Sequence, residues 1–318
     1  MASLTRRNFL KTASTLVGAL GLSGLTQGCR SAKHETGKIR TGFKYAMCNE
    51  SMQTLPWTQQ CEIIGNAGYS GIEIAPFTLV KEGVQEINAT ERQRMLKTMQ
   101  NNGLACAGLH WLLAPPPKGL HFTTPDAVIR RKTIAYLNAL IDFCGDLEGT
   151  AMIFGSPKQR NTQGITIAEA KKYFAAGMAT VADHARQRGV KILIEPLDTS
   201  QTDVINTLAE AKVIIDQVQH PAIQTMFDFH NTPNETEPFH VLIDTYASHI
   251  HHVHVQEMDG QYLSQGNGIT AYKEAFQTLK DMQFDKWISL EVFDFKPGGK
   301  TIAEESMRVL KEIEASLS

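Results

Sequence analysis

The chain has 318 residues, 42% of them hydrophobic and 20% charged, the balance of a globular protein rather than a disordered or fibrous one. A formal net charge of -2 and a pI near 6.6 leave no basic field that would draw nucleic acid. Five cysteines, at 29, 48, 61, 106 and 144, are too few and too irregular for a disulfide framework, and the last four sit in or beside apolar runs, as buried thiols do.

The first 29 residues read as an address rather than as part of a fold. Thr5-Arg6-Arg7-Asn8-Phe9-Leu10-Lys11 resembles the twin-arginine export signal, and a mildly apolar stretch over 15–25 follows it, too short to span a bilayer. Gly28-Cys29 closes the segment. Leu25 lies one place further from the cysteine than a lipid-attachment motif has it, so acylation of Cys29 and simple cleavage both stay open. Loss of residues 1–28 removes Arg6, Arg7 and Lys11 and no acid, which takes the formal charge from -2 to -5. Residues 30–41 form a polar tether, leaving 42–318 for the fold. The expected location is the periplasm, either free or tethered to a membrane through Cys29.

From residue 42 onward, short apolar runs alternate with longer amphipathic stretches. A strand over 42–48 precedes a helix over 57–67, and a strand over 71–75 precedes a helix over 88–102. Strands over 105–110 and 150–154 are followed by helices over 126–147 and 166–188. Further strands fall at 190–195, 223–228, 251–255 and 287–292, each followed by a helix: 203–218, 236–248, 270–282 and 302–316. Asn102-Gly103, Arg188-Gly189 and Asn66-x-Gly68 mark helix ends before strands. Eight strand–helix repeats with no Gly/Ser-rich or Pro-rich linker predict an α/β fold, a single (β/α)8 TIM barrel over 42–318. The connection over 112–125 contains Ala114-Pro115-Pro116-Pro117-Lys118-Gly119 and reads equally as a lid or as a plain loop.

The last four strands each end in a side chain able to hold a metal: Glu195 in Leu193-Ile194-Glu195-Pro196, Asp228 in Phe227-Asp228-Phe229-His230-Asn231, His254 in His252-Val253-His254-Val255, and Glu291 in Ser289-Leu290-Glu291-Val292-Phe293. In a (β/α)8 barrel those ends share one rim. A lone acid there is usually a cap or a solvated loop residue. Three carboxylates buried together cost several kcal/mol unless a cation compensates them. Three oxygen donors with one imidazole suit one divalent cation, Mn²⁺ foremost, with Mg²⁺ and Co²⁺ as alternatives. Strand alternation puts His252 and His254 on one face; His254 is nearer the rim, and His252 lies one layer deeper. Glu73 and His110 end the second and third strands and are candidates to line a pocket. Trp111 offers a stacking surface for a sugar.

These segments resemble the xylose isomerase-like barrels over roughly 42–316, and within them the sugar phosphate isomerase/epimerase branch that includes ketose 3-epimerases. Gly108-Leu109-His110-Trp111 and Gly155-Ser156-Pro157-Lys158-Gln159-Arg160 add to the likeness. The resemblance implies Glu195, Asp228, His254 and Glu291 as metal ligands, with Glu195 and Glu291 also moving the proton next to a sugar carbonyl through an enediolate. It also brings His230 and Glu257 in as candidate substrate contacts. Two positions depart from the epimerase pattern. Gln201 stands six residues after Glu195, where those enzymes usually have an acid, and 255–268 contains no arginine. Lys158 and Arg160 are the nearby cations that a phosphorylated substrate would use. Export argues against sugar phosphates, so the expected substrate is a free sugar, keto-sugar or glycoside. The rivals are an exported lyase or hydratase acting on 3-keto-glycosides, an endonuclease IV-like DNA-repair barrel and a non-catalytic sugar-binding barrel. The acidic balance opposes the DNA enzyme, and the retained Glu195–Glu291 pair opposes the non-catalytic reading. Self-association into a homo-oligomer stays open.

Overall fold

The computed structural model describes residues 42–264 and 268–318. The twin-arginine motif, Cys29 and the tether lie outside the described residues. Eight parallel strands close into a barrel in sequence order: β1 (Lys44–Cys48), β2 (Gly71–Ile74), β3 (Ala105–Leu109), β4 (Ala151–Phe154), β5 (Lys191–Ile194), β6 (Ile223–Asp228), β7 (Ile250–Val255) and β8 (Trp287–Leu290). β1 pairs with both β2 and β8, which leaves no edge. Helices α1 (Trp57–Asn66), α2 (Ala89–Asn101), α3 (Ala127–Asp146), α4 (Ile167–Gln187), α5 (Leu208–Val218), α6 (Phe239–Thr245), α7 (Gly268–Asp281) and α8 (Gly299–Ala315) follow the strands in turn. The expected single (β/α)8 barrel is borne out. No helix among the described residues is long and apolar enough to cross a membrane.

Local chemistry sets the element ends. Asn88, Asp126, Thr166 and Thr207 each accept a backbone N–H in the first turn of α2, α3, α4 and α5. On α4, Ala170, Phe174, Met178, Val181 and Ala185 are buried at three- and four-residue spacing, the stripe that docks a helix onto a sheet. α5 starts at Leu208 rather than at 203, because the preceding loop has its own bonds: Asn206 Nδ2 donates to Leu197 O and Thr202 O, both at 2.8 Å. The connection over 112–125 is packed down rather than free. Leu112, Leu113 and Phe122 are buried in it, and Leu113 N donates to Ser156 Oγ at 3.1 Å.

The core is divided. Most of it lies between strands and helices, while a small inner cluster of Ala151, Ile153, Leu193 and Met226 fills the bore on the β4–β6 side. Around it, β2 and β7 contribute the buried polar residues Glu73, His252 and His254, with His110 just beyond β3.

Arg160 ties this architecture together and is a correction to its expected role. It is fully buried, and both Nη atoms donate to backbone: Nη1 to Phe154 O (3.1 Å) and Glu195 O (2.8 Å), Nη2 to Ile205 O (3.1 Å). Burial pulls its pKa down to about 10 against the opposing charges of Glu195 and Glu210, so it stays cationic at neutral pH. Its guanidinium clamps the ends of β4 and β5 to the loop before α5 and is closed to an anionic substrate. Arg160→Met strands buried carbonyls and is expected to cost about 3 kcal/mol, lowering the urea midpoint in circular dichroism. An unchanged midpoint would contradict the clamp.

Candidate active site

Parallel strands deliver their carboxyl ends to one rim, and there the four predicted side chains meet. Glu195 follows β5, Asp228 ends β6, His254 is near the end of β7 and Glu291 follows β8. One ligand atom from each lies within 4.8 Å of the others. All four are buried, at 6%, 4%, 0% and 4% exposure, so their charges meet little solvent screening.

Neighbouring donors hold the carboxylates. Asn231 Nδ2 donates to Asp228 Oδ2 at 2.6 Å and to Glu195 Oε1 at 3.3 Å; Gln256 Nε2 reaches Asp228 Oδ1 at 3.1 Å. Trp111 Nε1 donates to Glu291 Oε1 at 3.0 Å. Gly155 presses so closely on Glu195 that a methyl group there would run into Oε2. His254 turns Nδ1 toward the same space, 2.9 Å from Glu291 Oε2 and 3.9 Å from Glu195 Oε1, yet that nitrogen makes no directed hydrogen bond.

The charges are unbalanced in an informative way. Burial, then the charges of Glu291 and Asp228, push the Glu195 carboxyl well above the usual carboxylate range. Burial also raises Asp228. For Glu291, burial works upward, but the His254 imidazole outweighs it and holds the group low. Burial opposes charge on His254, and Glu73 and Glu291 overcome it, holding the imidazole protonated. Three carboxyl groups face one imidazole here, so the cluster is short of positive charge. A divalent ion would supply that charge, and three carboxylates with an imidazole bearing an unpartnered nitrogen fit one.

The other sequence candidates scatter. Trp111 lines a cleft above the cluster, with Gly155, Pro157, Leu197, Gln201, Asn231 and Phe293 among its neighbours. His230 is half-buried at its edge, its ring 5.1 Å from Phe293 and its Nδ1 donating to Met258 O at 2.8 Å. Glu73 and His110 do not line the cleft; both are buried beneath it. His110 Nε2 is 2.8 Å from Glu50 Oε2, and Glu73 Oε1 is 3.0 Å from His254 Nε2. Lys158 is exposed, and Glu257 sits in the turn after β7, where its N–H donates to Gln261 O; neither lines the cleft. Gln256 and Asn231 escaped notice as site residues. A period-2 reading of β7 extends His252 and His254 to Gln256 and would have found the first. The bond from Gln201 Nε2 to Asn231 Oδ1, at 2.6 Å, joins two loops and leaves no local signal.

Fold and rim together define a TIM barrel with a candidate divalent-cation centre. The chain belongs to the xylose isomerase-like TIM barrel family, whose profile matches residues 61–313. A probable ketose 3-epimerase of Synechocystis sp. is 25% identical over 222 residues, covering 62% of this chain and 74% of that protein. The structure of a D-psicose 3-epimerase from Clostridium cellulolyticum with D-tagatose has a TM-score of 0.74 at 19% identity, covering 87% of this chain and 100% of the other. The 3-keto-D-glucoside 4-epimerase of E. coli, solved in apo form, has a TM-score of 0.71 at 15% identity, covering 85% and 99%. Both structural likenesses bear on fold.

Elemental analysis is expected to find about one equivalent of Mn, Co or Mg in the purified protein. Glu195→Gln combined with Glu291→Gln should lose it, and Gly155→Ala should weaken retention about tenfold by displacing Glu195. No bound metal after reloading would refute the centre.

Proposed function

We propose that the protein is a divalent-cation-dependent epimerase or isomerase of a neutral free keto-sugar, working by proton transfer at the carbon beside the carbonyl. The observation that carries this reading is the pair Glu195 and Glu291. They come from two different strands, line one cleft and belong to the cation cluster, which sets two carboxyl groups against one bound substrate. Glu291, held anionic beside His254 and oriented by Trp111 Nε1, suits the proton acceptor; Glu195, from another strand, suits its return. A bound divalent ion would polarise the carbonyl and acidify the neighbouring C–H.

The walls favour a neutral sugar. Among the described lining residues there is no lysine or arginine, and Arg160 is sealed in backbone carbonyls. The amides of Gln201 and Asn231 can pair with hydroxyls, while Trp111 and Phe293 can cover an apolar sugar face. The twin-arginine-like amino terminus supports the same choice, since sugar phosphates are mostly cytoplasmic. The ketose 3-epimerase relatives support a ketose and chemistry at C3.

Mn²⁺-loaded protein incubated with D-fructose, D-psicose, D-tagatose or L-ribulose in D₂O should yield a C3 epimer carrying one deuterium, read by NMR and chromatography. Glu195→Gln and Glu291→Gln should each lower kcat by about 10²–10⁴-fold. Elimination or hydration products from a 3-keto-glycoside, with free ketoses untouched, would replace this reading with the lyase one. No proton exchange in either substrate class would end both.

A further inference from the structure

We infer that Glu73 is a positioning residue for the cation centre, holding His254 as the Nε2–H tautomer so that Nδ1 faces the cation with its lone pair. This rests on the proposed divalent site and adds a residue that contacts neither cation nor substrate.

Glu73 lies on β2, across the bore from β7, and is wholly buried. A carboxylate in that position needs compensation, and imidazoles surround it. Its Oε1 is 3.0 Å from His254 Nε2, its Oε2 is 2.7 Å from His252 Nε2, and His110 Nδ1 is 3.6 Å from Oε1. An imidazole nitrogen bonded to a carboxylate must carry hydrogen, so Glu73 decides which nitrogen of His254 is protonated. The nitrogen it leaves over is the one that faces Glu195 and Glu291.

The ring has little freedom to turn. His254 meets His110 edge-on at 6.2 Å between centroids and His252 at 5.2 Å. His252 is itself held 2.9 Å from Ser289 Oγ. Two other roles for Glu73 fit less well. Burial beneath His254 keeps it from substrate. Although Cys48, Glu73 and His254 could together surround an ion, both Glu73 oxygens already face imidazole nitrogens.

The test is Mn²⁺ affinity of the full chain, from the EPR signal of free Mn²⁺ during titration, for wild type and Glu73→Gln. The amide offers one acceptor oxygen to two imidazoles. Glu73→Gln should therefore bind Mn²⁺ about 10–100-fold more weakly while melting as cooperatively as wild type. Wild type that binds Mn²⁺ with Glu73→Gln within twofold of it would overturn the role of Glu73 and leave the centre standing. Wild type that binds no Mn²⁺ would overturn the centre, and this role with it. Should Glu73→Gln fail to fold, ¹⁵N-histidine NMR of Mg²⁺-loaded wild type decides, with the His254 signal assigned by its loss in His254→Gln. A proton on Nε2 supports the assignment; a proton on Nδ1 overturns it.

Discussion

Three carboxylates buried together around one imidazole set the condition that the rest of the site meets. Like charges within 4.8 Å repel strongly where water is excluded, and each surrounding group reduces that repulsion. Asn231, Gln256 and Trp111 donate hydrogen bonds to the carboxylates, and His254 lends positive charge. Even so, Glu195 is driven to keep its proton. A site so arranged is poised to exchange protons for a cation, and that is the physical content of the proposed metal dependence.

The barrel makes such crowding affordable by dividing its bore. On the β4–β6 side, Ala151, Ile153, Leu193 and Met226 pack as an apolar plug. Elsewhere the bore carries a buried layer in which Glu50 and Glu73 alternate with His110, His252 and His254. Acid and imidazole compensate each other there, so a polar foundation can sit under a polar rim. Arg160 does related work at the wall, using its charge on the carbonyls of Phe154, Glu195 and Ile205. The cleft above therefore contains a potential acid–base pair and, among the described residues, no lysine or arginine in its lining, which accords with the proposed neutral sugar.

Much of this was legible in the chain. Alternation of apolar runs with amphipathic stretches predicted eight strands and eight helices, because burial against a barrel imposes both periods. Glycines after helices, such as Gly103 at φ +71° and Gly189 at φ +72°, marked ends that the backbone needs in a left-handed turn. Glu195, Asp228, His254 and Glu291 stood out because parallel strands bring like ends together, so position along each strand suffices to place its terminal residue on the rim.

What the sequence determined by itself was therefore periodic: the order of elements, the barrel class, and which side chains reach the carboxyl end. Only the tertiary structure decided what each polar residue meets. Glu73 and His254 are 181 positions apart and touch across the bore; Trp111 and Glu291 are 180 apart and share a hydrogen bond. Lys158 and Arg160 are two residues apart, yet one is in solvent and the other is sealed inside. Periodicity states how far along a strand and on which face a residue lies. Closure of the barrel sets who stands opposite, through strand register and loop packing that no single strand encodes.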